Sequence, residues 1–157
     1  MNEDDAIAKA VLSDVIYITL ATVSADGMPW NTPVFAAFDE AYHFYWVSAS
    51  HVRHSQNIRA TGRVAIVVYD STAPANQGRG VYMEATAEEV TDEQAILHAL
   101  DTLEKRGWKK PIEEVRGASI QRVYAAIPHQ MSITSDGSAN GQLFDSRAPL
   151  RLLDSAE

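Results

Sequence analysis

The sequence concentrates hydroxyl and basic side chains in one short stretch, SASHVRHS. Two serines, Ser48 and Ser50, close a predicted strand, and Arg53, His54 and Ser55 fall in the first turn of a predicted helix. A helix N-terminus presents free backbone N–H groups and a partial positive charge, and both favour an anion. Arg53 could hold a phosphate through two hydrogen bonds, with serine hydroxyls as further donors. The alternative is that Ser50 only caps the helix and Arg53 faces solvent.

A second candidate is the stretch WNTPVF, in which polar and apolar side chains alternate. Proline cannot donate a backbone hydrogen bond, so this strand should lie at an edge, at a bulge or against a ligand. A flat polar ring could lie along it and use its backbone N–H and C=O groups. The residues concerned are Trp30, Asn31, Thr32, Pro33 and Val34. The alternative is a plain edge strand in which Trp30 covers the core.

Three further features are ambiguous. His51 and His54 lie three residues apart, but no cysteine or nearby carboxylate completes a set of ligands, so we expect no metal. The stretch STAPANQGRG, residues 71–80, fits either a surface loop or a lid over a ligand. The group Asp145–Arg147 could pair within the chain or reach a second copy. The sequence has no Ser-His-Asp spacing, P-loop or dinucleotide motif, so catalytic residues stay unknown and redox chemistry would need a cofactor.

Composition limits the class of protein. A chain of 157 residues with 46% hydrophobic and 22% charged residues is typical of one globular domain. The 21 acidic and 13 basic residues give a net charge of −8, which argues against general nucleic-acid binding. The absence of cysteine excludes thiol chemistry and is compatible with the cytoplasm, where we expect the protein. No signal peptide and no apolar run of about 18 residues is present, so we expect no membrane partner.

The elements that must position these residues follow from the periodicity of the apolar side chains. We expect helices over residues 2–13, 51–60 and 91–106, the last with Thr91 as its cap and an apolar stripe of Ile96, Leu97, Leu100 and Leu103. We expect strands over residues 17–23, 30–38, 42–48, 64–70, 81–90, 119–127 and 130–134. The first three should form an antiparallel meander, and the fourth should be central and buried on both faces.

These elements favour a mainly β (α+β) fold over a doubly wound sheet, because βαβ alternation is weak. We expect a six-stranded antiparallel barrel with about three peripheral helices. The whole of residues 1–157 should be one domain, whose Gly-, Ser- and Asn-rich tail from about residue 137 could be partly mobile.

The order of the motifs along the chain is also informative. After a leading helix come YITLATVSADGMPWNTPVF, YHFYWVSASHVRHSQNIR, VAIVVYD, a loop and GVYMEATAEEV. They place a DG turn before a P-x-x-x-P-V strand, and then a helix that carries R-x-S-x-N-I. In this order, residues 3–136 resemble the pyridoxamine 5′-phosphate oxidase-like family of FMN-binding split β-barrels.

The resemblance implies that FMN lies at the interface of a homodimer. It implies that the strand matching residues 30–35 runs along the isoalloxazine ring. It also implies that the strand end Val47–Ser48 and the basic pair Arg53 and His54 hold the phosphate, with Ser50 or Ser55 in support. The second basic position is usually lysine in the family. Here it is His54, which carries a full charge only below neutral pH.

The function that the resemblance implies is an FMN-dependent oxidoreductase acting on an unknown small molecule. The oxidase members of the family carry a C-terminal Trp and Arg that contact flavin and substrate. This chain has no tryptophan after Trp108, and Arg147 matches only loosely, so pyridoxamine phosphate itself is not the expected substrate. The alternative function is a non-enzymatic module that carries or senses flavin or a related cofactor, including heme-like ones.

Overall fold

The computed structural model describes residues 2–153 and contains three α-helices, one short 3₁₀ helix and eight strands in that range. The helices are α1 (Glu3–Asp14), α2 (Arg53–Thr61) and α3 (Glu93–Lys105), and the 3₁₀ helix is Ile112–Val115. The first four strands are β1 (Tyr17–Val23), β2 (Pro29–Phe35), β3 (Ala37–Phe38) and β4 (Phe44–Ala49). The others are β5 (Arg63–Tyr69), β6 (Gly80–Glu89), β7 (Gln121–Ala139) and β8 (Gln142–Pro149). The predicted mainly β class is confirmed, with more strands than the six expected.

The strands form one antiparallel sheet in the order β2-β1-β5-β6-β7-β4-β3, and β8 pairs with β7 outside this path. The two ends of the path, β2 and β3, are separated in the chain only by Ala36. The edges of the sheet therefore meet, and the sheet curls into a barrel.

The core has two parts because β4 and β7 are covered on both faces. Where the two strands pair with each other, Trp46 and Tyr124 point into the barrel and are almost completely buried there with Leu20. The adjacent residues Tyr45 and Val123 point the other way and pack in the cluster that contains the buried Leu103 of α3. This alternation is what a strand with side chains on opposite faces requires. Helix α3 is thus packed on the outside of the barrel.

Caps fix the helix starts. Asn2 caps α1, and its side chain and that of Asp5 exchange hydrogen bonds with each other's backbone N–H groups. For α3 the expected cap was wrong: Asp92 accepts the hydrogen bond from Ala95, so the helix begins after Asp92 rather than after Thr91. The expected stripe was wrong at Leu97, which is 43% exposed, whereas the other three members are buried.

The expected strand pairing was confirmed only in part. β1 and β2 do form the expected hairpin, and Gly27 in its turn has a φ of 87°. The strand expected over residues 30–38 is divided at Ala36 into β2 and β3, and only the short β3 pairs with β4, which otherwise pairs with β7. β5 lies between β1 and β6 as expected of a central strand, but it buries only alternate residues. One face of the sheet at β1, β5 and β6 is therefore uncovered in the described chain.

The two strands expected near the C-terminus, over residues 119–127 and 130–134, are a single long strand, β7. A β-bulge opposite Glu84 and Ala85 leaves His129, next to Pro128, without a pairing partner, and the strand continues beyond it. The tail then forms β8 and pairs with β7 from Ser132 to Ala139. Within residues 2–153, no helix is long and apolar enough to cross a membrane.

Candidate functional site

The N-terminus of α2 is open to a ligand. The chain leaves β4 at Ala49, and the helix begins at Arg53 with Val52 as its cap residue. Val52 makes no side-chain capping bond, and the first turn contains no acidic residue. Ser50 is not the cap residue, and its backbone N–H donates instead to Ile120. Arg53 is exposed to solvent, as the alternative expected. The first N–H groups of α2 therefore lack the side-chain acceptor that usually occupies this position.

Arg53 is held by an aromatic ring at this helix end. Its guanidinium carbon lies 4.6 Å from the centre of the Trp30 ring, which is within the range of a cation–π interaction. Arg53 forms no ion pair with a carboxylate in residues 2–153. Asp26 is near enough that the charge of Arg53 contributes to its lowered pKa, although the hydrogen bond from Ser24 is the main cause. The guanidinium edge thus remains available to an anion.

Ser48 and His54 are also brought together. The Nε2 atom of His54 lies 2.8 Å from the Ser48 hydroxyl, so the end of β4 is tied to the first turn of α2. Burial lowers the pKa of His54 below its ordinary value of 6.5. His54 is therefore mostly neutral at neutral pH and adds a hydrogen-bonding group there, while Arg53 carries the positive charge.

Two polar contacts, the first of them buried, fix α2 against the barrel. The Asn57 side-chain amide donates to the Thr22 hydroxyl over 2.9 Å, and both residues are buried. The Thr61 hydroxyl donates to the carbonyl of Val23 at the end of β1.

Ser55 is 0% exposed, and its hydroxyl has no hydrogen-bond partner within residues 2–153. A buried hydroxyl without a partner is costly, so Ser55 is a donor that a bound group could satisfy.

Taken together, this helix end fits a phosphate. It offers uncapped backbone N–H groups, one guanidinium free of carboxylates and one unpartnered hydroxyl. These are the donor types that phosphate oxygens accept from, and they surround the positive end of a helix dipole.

The second predicted stretch lies on an edge strand, as Pro33 indicated. Among the described strands β2 pairs with β1 alone, so the backbone groups on its other side are available to a ligand. The strand divides its side chains between two faces. Asn31 and Pro33 are exposed on the outer face, whereas Val34 points inward and is 8% exposed. Trp30 and Thr32 share the inward side, on which Trp30 meets Arg53.

A depression of about 450 Å³ lies on the outer face of the sheet. Asn31 lines it, together with small residues of β1 and β5 such as Thr19, Ala21 and Ala65. A flat ring along β2 would therefore have room beside Asn31. Val47 lies elsewhere: its side chain packs on the cluster beneath α3, away from this depression.

Some residues that line the outer face were not predicted as site residues. Tyr82 and Arg147 line the depression, and His129 occupies the bulge of β7. The bulge leaves His129 without a partner in the pairing of β6 and β7, and it places both His129 and Gln130 at exposed positions. No local motif marks these residues, because their positions depend on long-range strand pairing. Only the sequence group Asp145–Arg147 had drawn attention to Arg147.

The sequence matches one family model, that of pyridoxamine 5′-phosphate oxidase, over residues 5–131. No curated protein matches the sequence. Similar solved structures include HutZ, the heme storage protein of Vibrio cholerae, at 16% identity and a TM-score of 0.70, covering 91% of this chain and 94% of HutZ. A candidate 5-nitroimidazole antibiotic resistance protein of Bacteroides thetaiotaomicron is 14% identical with a TM-score of 0.68, and the match covers 93% of this chain and 87% of that protein. A heme binding protein of Mycobacterium smegmatis is 16% identical with a TM-score of 0.65, and the match covers 93% of this chain and 58% of that protein.

Proposed function

This chain belongs to the pyridoxamine 5′-phosphate oxidase family, and we propose that it is an FMN-binding flavoprotein that acts as an oxidoreductase on a small molecule. The observation that carries the proposal is the N-terminus of α2. There Arg53, stacked on Trp30 and free of ion pairs with the described carboxylates, stands beside uncapped backbone N–H groups and the unpartnered Ser55 hydroxyl. This set of donors suits the phosphate by which FMN differs from riboflavin.

In the proposed complex, Arg53 holds the phosphate and Ser55, Ser48 and Ser50 are candidates for further hydrogen bonds. The free edge of β2 binds the ring through its backbone groups, with Asn31 on the outer face beside it. Bound FMN would supply the hydride chemistry, since no amino-acid side chain carries out hydride transfer. The protein would orient the ring and limit its access to water.

We also propose that the active form is a homodimer with FMN at the interface. The outer face of β1 and β5 carries the small residues Thr19, Ala21, Ala65 and Val67, and none of these is charged. A face of small, uncharged side chains suits close packing with a second copy. Light scattering should give twice the chain mass, and Ala65→Arg should shift it toward the monomer. A wild-type monomer at all concentrations would contradict the dimer.

The phosphate assignment is tested by comparing two flavins. Arg53→Ala should weaken FMN binding strongly and riboflavin binding little, since only FMN has a phosphate for Arg53. Arg63→Ala is the matched control, because Arg63 is exposed on β5 and carries the same charge. Flavin fluorescence titration measures both ligands. An equal loss of FMN and riboflavin affinity in Arg53→Ala would refute the role of Arg53.

A second candidate function is binding of heme without flavin chemistry. The observation in its favour is His129, which the bulge holds at an exposed position next to Gln130 on the rim of the outer depression. An exposed imidazole of this kind could serve as an axial ligand to heme iron. Hemin titration should then give a sharp absorbance band that His129→Ala abolishes, with His51→Ala as control. An unchanged band in His129→Ala would eliminate this site.

A further inference from the structure

A second depression, of about 530 Å³, adjoins the one that Asn31 lines. The two share Tyr82 and Arg147 as lining residues. The second also contains Arg79 and Thr134. The outer face of the sheet therefore carries one continuous groove, which runs from the edge strand β2 to the hairpin of β7 and β8.

Two arginines that line this groove are both located beside Thr134. Arg147 lies directly opposite Thr134 in the pairing of β7 and β8. Arg79 donates through one nitrogen to the Thr134 carbonyl over 2.6 Å, which leaves its other N–H groups free for a ligand. The guanidinium carbon of Arg147 lies 3.8 Å from the centre of the Tyr82 ring. Stacking on an aromatic face leaves the edge of a guanidinium able to bind an oxyanion through two hydrogen bonds.

The positive charges of Arg79 and Arg147 contrast with the net negative charge of the chain. The protein has 21 acidic and 13 basic residues, yet neither Arg79 nor Arg147 forms an ion pair with a carboxylate in residues 2–153. Asp145 and Glu84 also line the groove, and neither carboxylate is close enough to neutralise either arginine in an ion pair. Two neighbouring like charges repel unless an anion lies between them.

We propose that Arg79 and Arg147 form a binding site for the oxyanion, phosphate or carboxylate, of a small aromatic or otherwise flat molecule that lies in the groove. This site is separate from the helix end at Arg53, because the two are built on different elements and have no lining residue in common. The assignment of the bound molecule as the substrate rests on the proposed FMN function, since the groove leads from the arginines to Asn31. The binding of an oxyanion does not depend on it.

Calorimetry on the full-length protein tests the site with phenyl phosphate and benzoate as probes and benzyl alcohol as the neutral control. Wild type should bind at least one anionic probe saturably. Benzyl alcohol should bind at least about tenfold more weakly, because it lacks the charge that strengthens hydrogen bonds to the two guanidinium groups. Preference for phenyl phosphate would identify a phosphate ester, and preference for benzoate a carboxylate. The double variant Arg79→Gln with Arg147→Gln should lose at least about tenfold in probe affinity.

Two controls separate this site from other sources of anion binding. Arg63→Gln removes the same charge from an exposed position that lines neither depression, so it should leave probe affinity unchanged. The titrations are repeated in an Arg53→Ala background, which removes the α2 helix end as a source of phosphate binding, and the double variant should still lose at least about tenfold there. Circular dichroism of the double variant confirms that it is folded, and glutamine preserves most of the side-chain volume.

The proposal is overturned if wild type shows no saturable probe binding up to about 10 mM, a very weak affinity by any standard. It is equally overturned if the double variant binds as wild type does, in either background, or if Arg63→Gln loses as much affinity as the double variant. FMN titrations run in parallel distinguish the two proposals. Probe binding that depends on Arg79 and Arg147 in a protein that fails to bind FMN would refute the flavin function and leave this site standing.

Discussion

Removal of the aromatic ring beneath Arg53 tests how the phosphate site is organised. Trp30 contacts Arg53 through the face of its indole ring, at 4.6 Å from ring centre to guanidinium carbon. We predict that Trp30→Leu weakens FMN binding because Arg53 then loses the contact that holds its side chain at the helix end. Trp30→Phe keeps an aromatic face and should lose less.

The expected size of the effect follows from the exposure of the pair. Trp30 is 40% exposed, so its cation–π contact with Arg53 is intermediate between a fully solvated and a fully desolvated one. Such contacts contribute about 0.5–1 kcal/mol when exposed and about 2 kcal/mol when desolvated, and we take about 1 kcal/mol here. That free energy corresponds to about a fivefold rise in the Kd for FMN. Riboflavin lacks the phosphate, so its Kd should change much less.

The assay is a double-mutant cycle measured by flavin fluorescence. FMN affinity is determined for wild type, Trp30→Leu, Arg53→Ala and the double variant, and riboflavin is titrated against each as the control ligand. If Trp30 acts through Arg53, its replacement should cost nothing further once Arg53 is alanine. The cycle therefore should give a coupling free energy of about 1 kcal/mol.

Additive effects of the two substitutions on FMN would refute this reasoning, because they would mean that Trp30 and Arg53 act independently. An equal loss of FMN and riboflavin in Trp30→Leu would refute it as well. In that case Trp30 would contact the flavin ring directly, and the phosphate would not be involved.

Three further predictions concern charge and buried polar groups. His54→Lys should tighten FMN binding several-fold and leave riboflavin unchanged in the same titration, because a permanent charge then replaces a mostly neutral imidazole; unchanged FMN affinity would contradict this. Thr22→Val should lower the free energy of unfolding in urea by about 1–3 kcal/mol, since the buried Asn57 amide loses its acceptor; a loss near zero would argue against the contact. Burial alone would raise the pKa of Asp39, but the hydrogen bonds that it accepts outweigh burial and hold that pKa below its ordinary 3.8. The ionised Asp39 carboxylate therefore stabilises the fold fully above that value, and this stabilisation is lost as the pH falls through the folded-state pKa. Asp39→Asn should lower the melting temperature at pH 7, and the difference from wild type should shrink below about pH 4. A difference that stays constant with pH would contradict this.

The local parts of the fold could be predicted from the sequence because local chemistry determines them. The α1 start follows from the Asn2 cap, and the turn at Gly27 follows from the need for a positive φ. The apolar alternation of β6 correctly placed Val81, Met83, Ala85 and Ala87 on one buried face. Each of these depends on residues within a few positions of one another.

The parts that sequence reasoning missed depend on long-range pairing. β5 has an apolar sequence, yet Ala65 is exposed because no layer of the described chain covers that face. β4 pairs with β7, which is more than seventy positions away, so no local pattern distinguishes this pairing from a meander. The groove at Arg147 exists only because β8 folds back on the long β7.

The helix end at Arg53 could be predicted because it depends on neighbouring residues in the sequence. The groove could not, because it depends on long-range strand pairing. A strand followed by a helix with a basic first turn is visible in eight consecutive residues, and the structure brings Ser48 and His54 together there. The sequence also indicated Trp30, but its contact with Arg53 follows from the packing of α2 on the edge of the barrel.

The most direct test of the central claim is a titration of the purified wild-type protein with FMN, followed by flavin fluorescence and by the visible absorbance of the bound flavin. The account predicts saturable binding of one FMN per chain, tighter than that of riboflavin because the phosphate contacts the α2 N-terminus. Binding of neither flavin at about 100 μM, or equal affinity for both, would contradict the account.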